Sequence, residues 1–338
     1  MILRMPVYCK DFKCSADKCS DNCCIGWEID IDPSSAEYYK NVGGDFGKRL
    51  CENINQGEVC SFKMNGERCA FLNENNLCDI ILSLGEDALC QICRDHPRYF
   101  EWFENVKEGG VGLCCEEGAR LIISQTEGFE TYDVPCDDEG EYDYDEALYN
   151  YLLWARQEII TLLEDESLTL NSRLFSSLFF AERIQYNVEK SQYDKTEPDI
   201  ICQKVILDME KVIDKFRAFE IIDDKWAAYI KRLYEKEKET EKNIYECEQE
   251  DKTVAGYLRN IAVYFIWRYF MKGVFDCQVR SKVWLALIST LFIERMFVRA
   301  WLDGEELTAE VCSILSKNYS KEIEYSEENL CAVMELEL

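Results

Sequence analysis

The spacing of the cysteines limits how this chain can fold more than any other feature of its sequence. Fourteen of the nineteen cysteines lie within the first 136 residues, and most of these fall into short-spaced groups. The groups are Cys14-x4-Cys19-x3-Cys23-Cys24, Cys69-x8-Cys78, Cys90-x2-Cys93 and Cys114-Cys115. Two-residue spacing lets both sulfurs reach one ion with little loop strain, and thiolates favour zinc or an iron–sulfur cluster over magnesium or calcium. Four such groups predict an N-terminal region folded around a cysteine-ligated metal.

Whether these cysteines are metal ligands or form disulfides depends on whether the protein stays in the reducing cytosol or is secreted. The first six residues, MILRMP, lack the basic stretch, the long apolar core and the small-residue cleavage site of a secretion signal, so we expect a cytoplasmic protein. Dense cysteines in a reducing cytosol are more often metal ligands or redox groups than disulfides. The five later cysteines stand singly on helical patterns, as small buried hydrophobic residues do.

The net charge narrows the class of partner. The chain has 66 acidic and 38 basic residues, a formal charge of -28, which repels nucleic-acid phosphates and anionic lipid headgroups. The same charge attracts a lysine-rich protein surface or simply keeps the protein in solution, so it does not identify a substrate. The longest uncharged apolar run, residues 283–293, is shorter than the roughly 20 residues that span a bilayer, and a membrane-spanning protein is not expected.

The distribution of charge also indicates where the chain divides. Residues 121–155 contain no lysine or arginine, and acidic residues accumulate there around Pro135 and Gly140. This composition is typical of a solvated linker. We therefore expect two domains, a cysteine-rich metal-binding domain over residues 1–140 and a helical domain over residues 141–338.

Apolar periodicity predicts a mainly α fold, in which a small irregular cysteine-rich N-terminal domain is followed by an all-α helical-bundle domain. Apolar residues recur at helical spacing in residues 148–162, 205–216, 226–234, 253–275, 279–302 and 308–317. The charged residues 235–252 fit the solvated face of a helix, and the two segments between 253 and 302 are apolar enough to be central. The first domain shows no long period, which favours short helices and leaves a hairpin open. Such segments bury little on their own, so a metal is a plausible stabilising centre.

The single histidine, His96, excludes metal sites that need two or three imidazole ligands. A nucleophile pair of Cys93 and His96 is disfavoured, because the two lie in a local turn before Pro97 with no orienting acid in view. We therefore interpret His96 as a structural residue.

The cysteine groups and their flanking residues together resemble a known family. The matching elements are Tyr8-x3-Phe12-x-Cys14, Cys19-x3-Cys23-Cys24-x-Gly26-Trp27, Cys69-x-Phe71-Leu72-x5-Cys78, Gly85-Glu86-x2-Leu89-Cys90-x2-Cys93-x3-Pro97-Arg98 and Cys115-x-Glu117-x-Ala119-Arg120. In order and spacing they resemble the flagellin lysine-N-methylase (FliB-like) family, within a wider cysteine-rich group described as zinc- or iron-chelating. The chain departs from the pattern at His96, where an aromatic residue is expected, and at Glu116, where proline is expected.

The resemblance implies a set of nine metal ligands. Alignment through Ala119 and Arg120 selects Cys115 rather than Cys114. The implied ligands are Cys14, Cys19, Cys23, Cys24, Cys69, Cys78, Cys90, Cys93 and Cys115. Nine thiols exceed the needs of one centre, so the excess serves a second zinc site or packs. Cys9, Cys51, Cys60 and Cys136 fall outside the pattern.

The resemblance also implies an activity, the transfer of methyl groups from S-adenosylmethionine to lysine ε-amines of flagellin, with a bound iron–sulfur cluster, 4Fe-4S in type, or zinc. Arg94 and Arg98 flank Cys93 and are candidates to hold the methyl donor's carboxylate or the cluster, the alternative being surface ion pairs. Trp27 is expected to pack over the metal. No Gly-x-Gly-x2-Gly turn of a nucleotide-binding unit is present, and no catalytic base can be named. The competing hypothesis is a non-catalytic protein with structural zinc or chelated iron, whose helices bind a partner.

Overall fold

The structure, a computed structural model, describes residues 1–26, 28–103, 105–137 and 144–336. It is mainly α, as predicted, with 59% of the described residues in helices. The chain forms two compact units. One, termed the cysteine-rich unit, comprises Lys13–Tyr99 and Cys115–Glu117; the other, termed the helical unit, comprises Met1–Phe12, Phe100–Cys114 and Gly118–Leu338.

Within the described residues, the strands all lie in the first 135 positions, and the long helices follow them. The strands are β1 (Ile2–Pro6), β2 (Asp30–Ile31), β3 (Ile54–Asn55), β4 (Cys60–Phe62), β5 (Met64–Asn65), β6 (Arg68–Cys69), β7 (Arg98–Trp102), β8 (Val106–Val111) and β9 (Thr131–Pro135). The first helices are α1 (Pro33–Asn41), α2 (Gly44–Glu52), α3 (Asp79–Leu84), α4 (Gln91–Asp95) and α5 (Glu116–Ile123). The later helices are α6 (Glu146–Glu164), α7 (Leu170–Glu189), α8 (Met209–Phe216), α9 (Asp224–Glu250), α10 (Thr253–Tyr269), α11 (Gly273–Asp276), α12 (Val279–Leu302), α13 (Ala309–Glu324) and α14 (Glu327–Met334).

The predicted domain boundary near residue 140 falls within residues 138–143, outside the described residues, and stays a prediction. The compact units are bounded differently, because the first strand of the chain pairs with later segments. Strand β1 lies between β8, with which it is parallel, and β9, with which it is antiparallel, in a sheet of order β7-β8-β1-β9. Periodicity did not indicate this sheet, since each strand is short and a parallel partner can lie far away in sequence.

The cysteine-rich unit contains short helices, as expected, and also small sheets. Strands β2, β4 and β3 form a three-stranded antiparallel sheet, and β5 and β6 form a hairpin in which Met64 faces Cys69. Its core is built from large side chains that are almost inaccessible to solvent: Tyr39, Leu50, Phe62, Phe71 and Ile80. The hairpin that the sequence left open is therefore present.

The long helical patterns of the second half are confirmed as α6, α9, α10 and α12. Helix α12 is buried nearly all round over residues 282–300, which identifies it as the central helix. The prediction for residues 205–208 was wrong, because Asp208 caps α8 and its carboxylate accepts the N–H of Lys211. The last pattern was too short, since α13 continues to Glu324. None of the described helices is both long and apolar enough to cross a membrane.

A buried ion pair joins the sheet of the helical unit to its helices. The two Nη atoms of Arg156 on α6 each donate to one carboxylate oxygen of Glu108 on β8 at 2.6 Å. The side chain of Arg156 is 4% exposed and that of Glu108 is 5% exposed. The guanidinium also lies 4.3 Å from the ring centroid of Trp267. Removal of either partner leaves an uncompensated buried charge, which costs far more than the loss of a surface pair.

The substitution Arg156→Met is expected to destabilise the helical unit by about 3–5 kcal/mol, because Glu108 loses its counter-charge in a buried site. The matched control is Arg217→Met, which removes an exposed pair with Asp214 and should cost less than about 1 kcal/mol. Urea unfolding followed by circular dichroism measures both variants. Equal effects would show that the buried pair does not hold the sheet to the helices.

Candidate functional site

Backbone pairing brings the first two predicted ligands of the site together. The amide of Cys69, at the end of the β5–β6 hairpin, donates to the carbonyl of Cys24 at 3.0 Å, and Ile25 bridges Arg68 in antiparallel register. The amide of Gly26, where φ is +90°, donates to the carbonyl of Glu67 at 2.8 Å. The segment that carries Cys24 is therefore held as an extra strand beside the hairpin.

A second turn adds Cys78 to this neighbourhood. Residues Leu72 and Cys78 form an antiparallel bridge, and the amide of Asp79 donates to the carbonyl of Phe71 at 2.8 Å. The side chain of Asn73 closes the turn by accepting from the amides of Asn75 and Leu77. The eight residues between Cys69 and Cys78 thus form a compact loop that brings the two thiols close enough for the charge of Cys78 to act on Cys69.

The third part of the site, α4 with Cys90 and Cys93, is positioned by Asp32. Its carboxylate accepts the amide of Ser35 at 2.9 Å, which caps α1, and the amide of Gln91 at 2.8 Å, which opens α4. Burial opposes ionisation, but hydrogen bonds from Gln91, Ser34 and Ser35 together hold the pKa of Asp32 well below its usual range. Because this one carboxylate accepts hydrogen bonds from the first turns of both α1 and α4, it fixes the position of Cys90 relative to the start of α1.

Six thiols meet as a result, and we call them the thiol cluster: Cys23, Cys24, Cys69, Cys78, Cys90 and Cys93. Cys69 and Cys90 are part of the buried core, and Cys24, Cys78 and Cys93 pack against it. The thiols form two hydrogen-bonded pairs, Cys23 with Cys24 and Cys90 with Cys93. All nineteen cysteines are free thiols rather than disulfides.

The proximity of these thiols governs their ionisation. The hydrogen bond from Cys24 lowers the pKa of Cys23 to about 7, and the bond from Cys93 lowers the pKa of Cys90. The donors of these bonds are Cys24 and Cys93. The same hydrogen bonds, together with burial, raise the pKa values of both donors far above that of an ordinary thiol. Burial also raises the pKa values of Cys69 and Cys78. Repulsion between thiolates also raises pKa values across the three segments of the site. The charges of Cys69 and Cys78 raise the pKa of Cys24, and those of Cys24 and Cys69 raise the pKa of Cys93.

This donor set fits a soft metal. Several partly buried thiols that repel one another as thiolates are stabilised when a cation replaces their protons. Among the described residues, no three Cys, His, Asp or Glu side chains stand at the distances of a finished metal site. The structure thus brings six predicted ligands into one neighbourhood without assigning their coordination.

The other three predicted ligands are Cys14, Cys19 and Cys115, two of which lie close to Glu116. The sulfur of Cys14 accepts the amide of Ala16 at 3.4 Å, within a local turn. The thiol of Cys19 lies 3.9 Å from the carboxylate of Glu116, which also accepts the amide of Ser20 at 3.0 Å. Glu116 follows Cys115 directly, so Cys19 and Cys115 approach the same place. Sequence reasoning noted Glu116 only as a departure from the family pattern, and the structure gives it the role of joining these two segments.

Cys114 and Cys115 belong to different compact units, although they are adjacent in sequence. Cys115 is part of the cysteine-rich unit, whereas Cys114 belongs to the helical unit and is 8% exposed. Burial, together with the nearby charge of Glu324, raises the pKa of Cys114 to about 11. The choice of Cys115 rather than Cys114 as a ligand stays a prediction.

The remaining predicted site residues flank α4. Arg94 is exposed in its last turn, and Arg98 is half-buried at the start of β7. His96 ends α4, where its amide donates to the carbonyl of Ile92 at 3.0 Å. Trp27 lies outside the described residues. Asp32 was missed as a site residue, although an Asp-Pro pair before a helical segment is a recognisable start signal.

In the metal-free protein, Cys23 is expected to react with iodoacetamide with a midpoint near pH 7, because its thiolate is exposed and stabilised by Cys24. The substitution Cys24→Ala should move that midpoint toward about 8.5, the value of an ordinary thiol. Cys51→Ala, at an exposed thiol outside the cluster, is the matched control. Peptide mass spectrometry of the labelling rate against pH decides, and a midpoint unchanged in Cys24→Ala would contradict the pairing.

Comparison with known proteins identifies the helical part of the chain. The model of the FliB lysine N-methylase C-terminal domain matches residues 156–337, more than half of the chain. The flagellar biosynthetic protein FliU of Salmonella muenchen is 29% identical over 128 residues, which cover 35% of this chain and 75% of that protein. The lysine-N-methylases of Salmonella choleraesuis and Salmonella typhimurium are each 28% identical over 128 residues, 35% of this chain but only 32% of their own length. No solved structure matches the chain. On the strength of the domain match, the chain belongs to the FliB lysine N-methylase family.

Proposed function

We propose that this protein is an S-adenosylmethionine-dependent protein-lysine N-methyltransferase that acts on flagellin in the cytoplasm. The observation that carries the proposal is the match of residues 156–337 to the FliB lysine N-methylase C-terminal domain. Two relatives bear the name lysine-N-methylase and a third is named as a flagellar biosynthetic protein. The aligned region spans about a third of each named methylase, so their activity is transferred to this chain as a proposal.

The thiol cluster supports the second part of the proposal, a cysteine-ligated iron–sulfur cluster. Cys24, Cys69, Cys78, Cys90 and Cys93 would hold it from within the core or its edge, with Cys23 as the exposed member. Such a cluster, when bound, supplies one-electron chemistry or an iron position for a methyl donor. Cys14, Cys19 and Cys115 would then serve a separate site or none. Binding of any metal replaces thiol protons and is therefore coupled to folding of this unit.

Arg94 and Arg98 are proposed to contact the methyl donor or the cluster. They flank Cys93 on both sides, one at the exposed end of α4 and one at the start of β7. A planar guanidinium binds a carboxylate through two parallel hydrogen bonds, which suits the amino-acid end of S-adenosylmethionine.

A specific observation favours the competing function, a structural metal without catalysis. Cys69 and Cys90 are 6% and 0% exposed and form part of the hydrophobic core, the position expected of a centre whose role is to hold a small domain together. The identity of the metal separates the two functions.

Anaerobically purified protein is expected to contain about four irons per chain with matching acid-labile sulfide. Cys93→Ser should lose most of the metal and destabilise the cysteine-rich unit, because it removes a thiol at the centre of the cluster, while the helical unit keeps its circular dichroism. Cys51→Ser, at an exposed thiol of the same unit, should retain the metal. Zinc without sulfide would favour the structural function, and unchanged metal in Cys93→Ser would refute the ligand assignment.

The activity itself is tested by incubating the purified protein with flagellin and S-adenosylmethionine. Intact-mass spectrometry should show added methyl groups, and peptide mapping should place them on lysines. The Cys93→Ser variant should be inactive if the cluster takes part in the reaction. Flagellin that gains no methyl groups from metal-replete protein would overturn the proposed function.

A further inference from the structure

The loop between Cys69 and Cys78 has to keep its two ends at a fixed separation if both thiols bind one metal centre, because metal–sulfur bonds have nearly constant lengths. Hydrogen bonds to the side chain of Asn73 fix the turn at the middle of the loop. At the base of the loop, one backbone bond runs from the amide of Asp79 to the carbonyl of Phe71. A side chain from outside the loop adds a second connection across this base.

That side chain is Arg49, on α2. Its Nη2 donates to the carbonyl oxygen of Ala70 at 3.0 Å, and its Nη1 forms an ion pair with Oδ2 of Asp79 at 2.8 Å. Ala70 directly follows Cys69, and Asp79 directly follows Cys78. One guanidinium therefore joins the two residues that stand next to the two thiols.

The guanidinium of Arg49 is itself held in place by packing. Its central carbon lies 5.2 Å from the ring centroid of Phe71 and 5.9 Å from that of Phe46. Phe71 is fully buried, and so is Leu50, which follows Arg49 on α2. The carbonyl of Arg49 accepts both the backbone amide and the side-chain amide of Asn53, which ends this helix. The arginine thus reaches the loop from a helix that is anchored in the core of the same unit.

The acceptor on the other side of the contact is fixed as well. The two carboxylate oxygens of Asp79 have separate donors, since Oδ1 accepts from the side-chain amide of Asn73 at 2.9 Å and Oδ2 faces Arg49. The carboxylate is 19% exposed, so its contacts are only partly screened by water. Because the charges of Arg49 and Asp79 balance each other, the pair acts on the thiols through their position rather than through a net charge.

From these contacts we propose that Arg49 is a positioning residue for Cys69 and Cys78, which holds their loop at the separation that a single metal centre requires. The assignment rests on the metal-binding part of the proposed function. It goes beyond that part because Arg49 lies outside the cysteine groups and their flanking residues. Residues that orient metal ligands without touching the metal typically change metal affinity by about 10–100-fold when they are replaced.

The geometry requires arginine rather than any cation at this position. A guanidinium is planar and offers several N–H groups in a fixed fork, whereas a lysine ammonium is a single point of charge on a flexible stem. The two Nη atoms of Arg49 serve two acceptors that belong to opposite ends of the loop. A lysine at this position keeps the charge but cannot reproduce this bridge, so Arg49→Lys separates positioning from electrostatic attraction.

The test titrates the metal-free full chain with Co²⁺ without oxygen, in competition with a chelator. Cobalt is used as the probe because its visible spectrum reports the number and geometry of its thiolate ligands. Arg49→Lys is expected to bind Co²⁺ at least about 10-fold more weakly than the wild type. The visible bands of the cobalt that it does bind should also be shifted, a change that a role in stability alone would not produce.

The matched control is Lys48→Gln, which removes a positive charge from the neighbouring position of the same helix. Lys48 is 76% exposed and pairs only locally in sequence, with Asp45 at 3.3 Å. This variant should keep both the affinity for Co²⁺ and the spectrum of the wild type.

A second variant tests the same contact from the other side. Asp79→Asn keeps an oxygen that accepts from Asn73 but turns an amide N–H group toward Arg49. It should also weaken Co²⁺ binding. The double variant Arg49→Lys/Asp79→Asn should lose little more than either single variant, because both changes break one contact and their effects are therefore not additive.

The outcomes separate this assignment from the proposed function. A wild type that binds no Co²⁺ refutes the metal ligands, and this assignment with them. A wild type that binds Co²⁺ while Arg49→Lys keeps its affinity and spectrum refutes the assignment alone, as does an equal loss in Lys48→Gln. If amide hydrogen exchange shows that the cysteine-rich unit of Arg49→Lys is unfolded, Asp79→Asn decides: weaker binding with a shifted spectrum supports the assignment, and unchanged binding overturns it.

Discussion

The hydrogen bond from the Cys69 amide to the Cys24 carbonyl joins the two segments that carry four of the clustered thiols, Cys23 and Cys24 on one side and Cys69 and Cys78 on the other. It fixes a non-helical segment against a hairpin, and so brings thiols 45 residues apart in sequence into one neighbourhood. The hydrophobic core forms around the same pairing, since Cys69 and Cys90 are buried in it together with Phe62 and Phe71. The clustered thiols are thus part of the core or packed against it, so metal binding and folding of this unit are expected to be coupled.

In the helical unit, the buried polar groups are paired with one another rather than gathered around a metal site. Its interior contains carboxylates and guanidinium groups, but nearly all of them are paired, as Glu108 is with Arg156 and Glu324 is with tyrosines and Arg268. A buried polar network that is fully satisfied makes the packing specific, whereas an incomplete one costs free energy.

The proposed metal chemistry draws on the cysteine-rich unit, which offers soft, ionisable sulfur ligands. Thiolates bind a metal only after losing their protons. Burial strengthens the electrostatic interactions that set the pKa values of these thiols.

The sequence by itself predicted the helical architecture, a pool of cysteines as metal ligands, and the resemblance to the family. Helical periodicity in residues 148–162 and 279–302 is a local property, and the spacing of cysteines such as Cys90 and Cys93 is read directly. Only the tertiary structure brought six thiols together at the core of the cysteine-rich unit, assigned Cys114 and Cys115 to different units, and paired β1 with β8. It alone showed that Arg49, one of 38 basic residues, joins the residues that follow Cys69 and Cys78. The reason is that burial and pairing arise from contacts between segments distant in sequence, which no local pattern records.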